Sequence, residues 1–225
     1  GRLVSLAPSN TELLFALGLG DKVVGVTDYC NYPPEAQKVP KVAGYSSLSL
    51  EKIVAATPDL VLAARGNDLE GLAALRAAGI LVFSLDIQSV EGLIESTGRL
   101  GQLVGAREAA GRLQGEWRER VARVRARVDS SQVRPRVMWG YFGEPVYTAG
   151  AGTLIDDLIG VAGGVNVGRQ APGAWPPVSL ETILSWAPEV LLAAAMADDQ
   201  AVEKELARLR GLEGWNQFPG VRQGR

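Results

Sequence analysis

Residues 49–64 read SLEKIVAATPDLVLAA, and residues 179–194 read SLETILSWAPEVLLAA, 130 positions further on. Eight of the sixteen positions are identical. Each copy opens on a serine suited to cap a helix and places a glutamate in the first turn, where the helix dipole favours negative charge. Each then breaks at a proline and continues as a wholly apolar run. The pattern predicts a helix followed by a strand buried on both faces, the kind found in parallel sheets covered by helices. One stable helix–strand unit used twice would account for much of the similarity. Its placement at two distant points argues in addition for two related lobes.

Between the copies lies AREAAGRLQGEWRERVARVRARVDS, residues 106–130. Ala106, Ala110, Leu113, Trp117, Val121, Val124 and Val128 recur at steps of three and four, which lays one apolar stripe along a helix. No proline interrupts it, and at 1.5 Å per residue it reaches about 37 Å, more than one small lobe needs. The expectation is therefore an N-terminal α/β lobe at 1–104, a bridging helix at 105–131 and a C-terminal α/β lobe at 132–225. Arg107, Arg112, Arg118, Arg120, Arg123, Arg125 and Arg127 are interleaved with Glu108, Glu116 and Glu119. That mixture reads as a solvated face rather than a nucleic-acid stripe.

The flanking sequence alternates strand and helix patterns. Strands are expected at Arg2–Leu6, Lys22–Val26, Asp59–Ala64 and Ile80–Leu85. Helices are expected after Pro8, where Ser9 or Asn10 can cap and Glu12 suits the dipole, and at Asp68–Ala78 and Val90–Val104. Beyond the long helix come strands at Arg136–Trp139 and Val146–Thr148, a helix at Thr153–Val161, and a rigid loop, QAPGAWPP, presenting Trp175. A second helix pattern at Val202–Gly211 follows the repeat. The fold class is α/β: two similar lobes with mostly parallel sheets joined by one long rigid helix, the C-terminal lobe reading as truncated because a further strand is expected where Arg225 stands.

Composition removes several chemistries. Among 225 residues there is no histidine and one cysteine, Cys30, so the usual general base, the usual metal ligand and any internal disulfide are missing together. No metal site and no catalytic residue are expected, and Cys30 reads as a semi-buried structural residue. The net charge of −2 gives no general attraction to nucleic acid. Gly150-Ala151-Gly152 lacks the third glycine of a dinucleotide loop, because position 155 is isoleucine, and no phosphate-loop pattern occurs. No apolar run approaches the roughly 18–20 residues of a membrane span; the opening is expected to be that of a mature or trimmed protein, from which no compartment is read.

The two copies, the opening SLAPSNTELLFALGLGDKVVGVTDYCNYP (residues 5–33), the PDLVLA strand, the long helix and AWPPVSLE (residues 174–181) together resemble the class III substrate-binding proteins of ABC importers. The similarity runs over essentially the whole chain and is nearest to the cobalamin-binding members; heme- and siderophore-binding relatives share the framework. The resemblance implies a non-catalytic protein that holds its ligand between two lobes. Its cargo would be cobalamin or a related chelate, carried as ligand rather than as cofactor. Its partner would be an ABC permease at the membrane. A monomer located in the periplasm, or anchored outside the cytoplasmic membrane, is expected.

By the same resemblance Tyr29, Tyr45 and Trp175 match aromatic positions that contact the corrinoid. Tyr141 lies in WGYFGEP, where Trp139 or Phe142 could serve instead. Flat rings with a polar tip suit a large, partly apolar macrocycle, and they equally suit the bland task of covering sheet ends. Ala64 stands where the cobalamin-binding members carry tryptophan. Arg65 beside it suits a carboxylate, amide or phosphate. Glu51 and Glu181, one in each copy, are explained structurally by the helix dipole. The resemblance adds docking onto permease arginines. An α/β enzyme acting on tetrapyrroles is the alternative from another class, and no recognisable nucleophile–base pair supports it.

Overall fold

The strands in the first half of the chain are mostly apolar and pack against helices. The computed structural model describes residues 1–44, 47–193, 199–211 and 214–218. Strands β1 (Leu3–Ser5), β2 (Val23–Thr27), β3 (Lys41–Ala43), β4 (Leu60–Ala64) and β5 (Val82–Leu85) form one wholly parallel sheet in the order β3-β2-β1-β4-β5. Val4, Leu6, Val61 and Ala63 pack with Ile53 of helix α2 (Leu50–Ala55) and Leu72 and Leu75 of α3 (Leu69–Ala77). Ser5, with the opposite parity, takes a 2.8 Å hydrogen bond from Thr11 of α1 (Pro8–Ala16). Helix α1 begins on Pro8 with Ala7 at its N-cap and no side-chain cap, and its first turn holds no acid. This corrects the expected capping by Ser9 or Asn10 and the dipole role of Glu12. Asn10 is buried instead and donates to the Ala63 carbonyl at 3.1 Å, tying the helix to the sheet.

Helix α4 (Val90–Leu103) and the long α5 (Arg107–Asp129) follow. The apolar stripe of α5 is its covered side: Ala110 is buried, the other six stripe residues are half-buried, and all seven arginines are exposed. Gly101 and Ala110 meet so closely that a Cβ on residue 101 would lie 2.4 Å from that of Ala110, which fixes glycine there. The exposed pairs Arg112–Glu108 and Arg118–Glu91, each at 2.9 Å, contribute little to stability. The chain packs as two compact units, Gly1–Asp86 with Leu93–Trp117, and Ile87–Gly92 with Arg118–Arg225. Helix α5 thus contributes its first half to one unit and its second half to the other.

The second unit contains β6 (Arg136–Tyr141), β7 (Val146–Thr148), α6 (Leu154–Val161), β8 (Val165–Asn166), β9 (Pro177–Val178), α7 (Leu180–Trp186), β10 (Val190–Ala193) and α8 (Asp199–Gly211). Its sheet runs β10-β6-β7-β9, with β8 also beside β6. The pairings of β6 with β10 and β8 are parallel, whereas β7 pairs antiparallel with both β6 and β9.

The sequence repeat is a structural repeat down to single hydrogen bonds. Ser49 and Ser179 cap α2 and α7, accepting from the amides of Lys52 and Thr182. Thr57 and Ala187, equivalent positions, are the two non-glycine residues with positive φ among those described, at 43° and 45°. Asp59 accepts from the Arg2 amide at 2.5 Å and returns its own amide to the Arg2 carbonyl at 2.8 Å. Glu189 and Arg136 repeat both bonds at 2.8 Å. The Arg2 guanidinium reaches the Ala56 carbonyl at the end of α2, and Arg136 does the same to Trp186 at the end of α7. Each arginine therefore clips a helix C-terminus, where the dipole favours a cation, to the start of the strand beside it.

Candidate functional site

Strand β6 alternates from Met138 onward. Met138 and Phe142 turn into the core of the second unit with Ile183, Trp186 and Trp215, and Gly140, between them, leaves room for their side chains. Trp139 and Tyr141, of the opposite parity, share the other face. Tyr141 is paired across the sheet with Tyr147, and Tyr147 with Pro177. Trp175, two residues before Pro177, stands edge-on to Trp139 with ring centroids 5.5 Å apart and planes at 66°. The result is an aromatic face of Trp139, Tyr141, Tyr147 and Trp175. Tyr141 is 51% exposed, Tyr147 40% and Trp175 48%. Between Trp139, Tyr141 and Phe142, which the sequence left open, the fold turns the first two outward and buries Phe142. Tyr147 escaped the sequence reading. The signal was its parity with Tyr141, which requires knowing that β7 is antiparallel.

The same unit also contains a buried polar network. Asp156 of α6 is 4% exposed. Its carboxylate accepts from Arg169 Nε at 2.6 Å and Nη2 at 3.0 Å, from Asn166 Nδ2 at 3.0 Å and from the Gly152 amide at 3.0 Å. Burial alone would push this carboxyl up; the bonds from Arg169, Asn166 and Gly152 together outweigh it and hold it below the ordinary aspartate value. Asn166 also donates to the Ala149 carbonyl at 2.9 Å and accepts from the Gly168 amide at 3.0 Å. An open groove of about 450 Å³ next to Asp156 is lined by charges of both signs, among them Arg125, Asp129, Arg134 and Asp157. Val128 and Val161 are the only apolar side chains in its lining, too few to wall a macrocycle.

In the first unit the candidates follow the carboxyl ends of parallel strands, where open α/β sheets place their ligands. Tyr29 comes two residues after β2 and is 52% exposed. Arg65 comes directly after β4, exposed, with its guanidinium 3.8 Å from Asp86 after β5. Tyr45 lies outside the described residues. Cys30 is fully buried between the hydroxyls of Thr11 and Thr27, each at 3.1 Å, so it is a structural residue there. Glu51 and Glu181 are exposed at the second position of α2 and of α7. Among the described residues no group of three or more metal-ligating side chains occurs, and no helix is long and apolar enough to cross a membrane.

The profile of the family described as periplasmic binding protein matches residues 3–225. The vitamin B12-binding protein of Photorhabdus laumondii is 34% identical over 193 residues, covering 85% of this chain and 70% of that protein. Its counterpart from Yersinia pestis (strain Pestoides F) is 35% identical over 195 residues, covering 86% and 69%. Among solved structures, the periplasmic heme-binding protein RhuT from Roseiflexus sp. RS-1 in apo form matches with a TM-score of 0.86 at 29% identity, over 100% of this chain and 87% of that one. The periplasmic vitamin B12-binding protein BtuF of Vibrio cholerae matches with a TM-score of 0.84 at 27% identity, over 99% and 85%.

Proposed function

The chain belongs to the periplasmic binding protein family, whose members are extracytoplasmic substrate-binding proteins rather than enzymes, and we propose that it captures a corrinoid of the cobalamin type and delivers it to an ABC permease. The observation that carries this reading is the uncharged aromatic face of Trp139, Tyr141, Tyr147 and Trp175, three of whose rings are about half exposed. Such a face suits the broad, nearly neutral surface of a cobalamin. Charge supports the same choice over a ferric siderophore, because the Arg169 guanidinium is already engaged by Asp156. Tyr29, Tyr45 and Arg65 supply the contacts of the first unit. Residues 1–104 and 132–225 act as the two ligand-contacting lobes, linked by 105–131, in a monomer. The cargo is a ligand in transit and no resident cofactor takes part.

A second reading, heme capture, is favoured by the similarity to the heme-binding RhuT and by the exposed phenol of Tyr29, a possible iron ligand in a chain without histidine. Parallel titrations with cyanocobalamin and hemin, followed by absorbance, separate the two. Saturable cyanocobalamin binding is expected. Hemin binding alone moves the assignment to heme, and binding of neither sinks both.

Glu51 and Glu181 are the docking residues in this proposal, supported by their exposure and by their equivalence in the repeat. Glu51→Arg combined with Glu181→Arg leaves ligand affinity intact and abolishes stimulation of the cognate transporter in proteoliposomes. Stimulation equal to that of the unaltered protein refutes the docking role.

A further inference from the structure

The loop that carries Trp175 is strung between two anchors. At its start the Ala171 amide bonds to the Gly168 carbonyl at 3.2 Å. At its end the Thr148 amide bonds to the Pro176 carbonyl at 3.1 Å and the Gly150 amide to the Ala174 carbonyl at 2.8 Å. Gly150 lies so close to the loop that a Cβ there would fall 2.0 Å from the Gly173 carbonyl oxygen. The first anchor thus rests on residues 166–169, and the second on residues 148–150. Asp156 and Asn166 together join the first segment to the second and to the turn that follows it. Asp156 accepts from Arg169 and Asn166 on one side and from Gly152 on the other, while Asn166 bonds to the Ala149 carbonyl. Thr153, whose hydroxyl donates to the Gly150 carbonyl and accepts from the Asp156 amide, closes the turn.

We infer that Asp156, Arg169 and Asn166 are positioning residues that set the spacing of the two anchors and so hold Trp175 edge-on to Trp139 before ligand arrives. They act through Ala149–Gly152 and Gly168, and their contribution to binding is preorganisation of the Trp175 loop. The effect on affinity rests on the corrinoid reading above; the effect on the ring pair does not.

The test is Arg169→Gln in the full chain, a side chain that is 62% exposed and whose loss should leave the protein folded. Asp156→Asn, isosteric but unable to accept all four bonds, is the second variant. Two readouts are taken. One is the exciton couplet of the Trp139–Trp175 pair in circular dichroism, defined as the signal removed by Trp175→Phe. The other is cyanocobalamin affinity. Expected is loss of most of the couplet in ligand-free protein and roughly tenfold weaker binding, the scale of reordering one loop on association. Ile53→Val, a core change in the other unit, serves as a control for general loosening and should leave both readouts unchanged. An undiminished couplet in Arg169→Gln and Asp156→Asn overturns the proposal, and so does an equal loss in Ile53→Val. Loss of the couplet in a protein whose unaltered form binds no cyanocobalamin supports the positioning role and overturns the corrinoid reading instead.

Discussion

The two copies of the repeat share a skeleton and differ in what stands beside it. In both, a serine-capped helix, a left-handed residue before proline and an arginine clip fix one strand against the central strand of a sheet. On the far side of that central strand the units part. Strand β1 has parallel neighbours, and the candidate ligand contacts, Tyr29 and Arg65, follow strand ends. Strand β6 has an antiparallel neighbour, and the pairing places Tyr141 against Tyr147 and brings Trp175 to Trp139. Parallel pairing presents loops; antiparallel pairing presents a face. The duplicated part holds the fold, and the unduplicated part makes the surface.

The skeleton should break first and alike in both units. Ile53 and Ile183 are equivalent positions, each fully buried. Ile53→Ala and Ile183→Ala should each cost about 2–5 kcal/mol, read by chemical denaturation with hydrogen exchange to assign the loss to its own unit. A cost for Ile183→Ala far below that for Ile53→Ala would mean that the second copy is not built as tightly as the first.

The surface should break differently. Trp175→Ala removes a half-exposed ring, so stability changes little, whereas cyanocobalamin affinity should fall by about 2 kcal/mol, close to thirtyfold, by calorimetry. Tyr29→Ala should cost less, because Tyr29 stands on a loop after β2 rather than on a sheet face. Equal losses would collapse the distinction between face and loop.

The skeleton was legible in sequence, whereas Tyr141, Trp175 and Trp139 were legible only as single candidates and their assembly with Tyr147 was not, for one physical reason. Helix caps, proline breaks and apolar runs are local, so Ser49, Ser179 and the stripe of α5 could be read in place. The pairing of Tyr147 with Pro177 joins distant positions, and β8 and β9 are two residues long, too short for any period to register. Asn10 shows the same limit from the other side. Its residue type fits a cap, and Pro8 at the first helical position pre-empted that role, leaving the side chain for the Ala63 carbonyl. Asn166 binds Asp156 and the Ala149 carbonyl, and no sequence signal links those positions.

The clips offer a smaller asymmetry. The Arg136 bond to Trp186 is partly buried and the Arg2 bond to Ala56 is exposed. Arg136→Met should therefore destabilise by about 1 kcal/mol and Arg2→Met by less, measured as shifts in unfolding midpoint.

Acid should separate the units by the least. The Asp156 carboxyl is held below its ordinary value in the folded protein, since the bonds from Arg169, Asn166 and Gly152 outweigh the opposing effect of burial. A depressed folded value means that the unfolded state binds the proton first. The stabilisation is then complete above the ordinary aspartate range and is lost as pH falls through that range toward the folded value. The second unit, which alone contains residues 149–169, should lose protection against hydrogen exchange more steeply than the first across that acidic window. Asp156→Asn should remove the excess slope. Because the Arg169 guanidinium is largely exposed, added salt should shrink it as well. Parallel acid slopes in the two units, unaltered by Asp156→Asn, would show that the carboxylate contributes geometry without a net electrostatic term, and the contrast between the units would then rest on strand pairing alone.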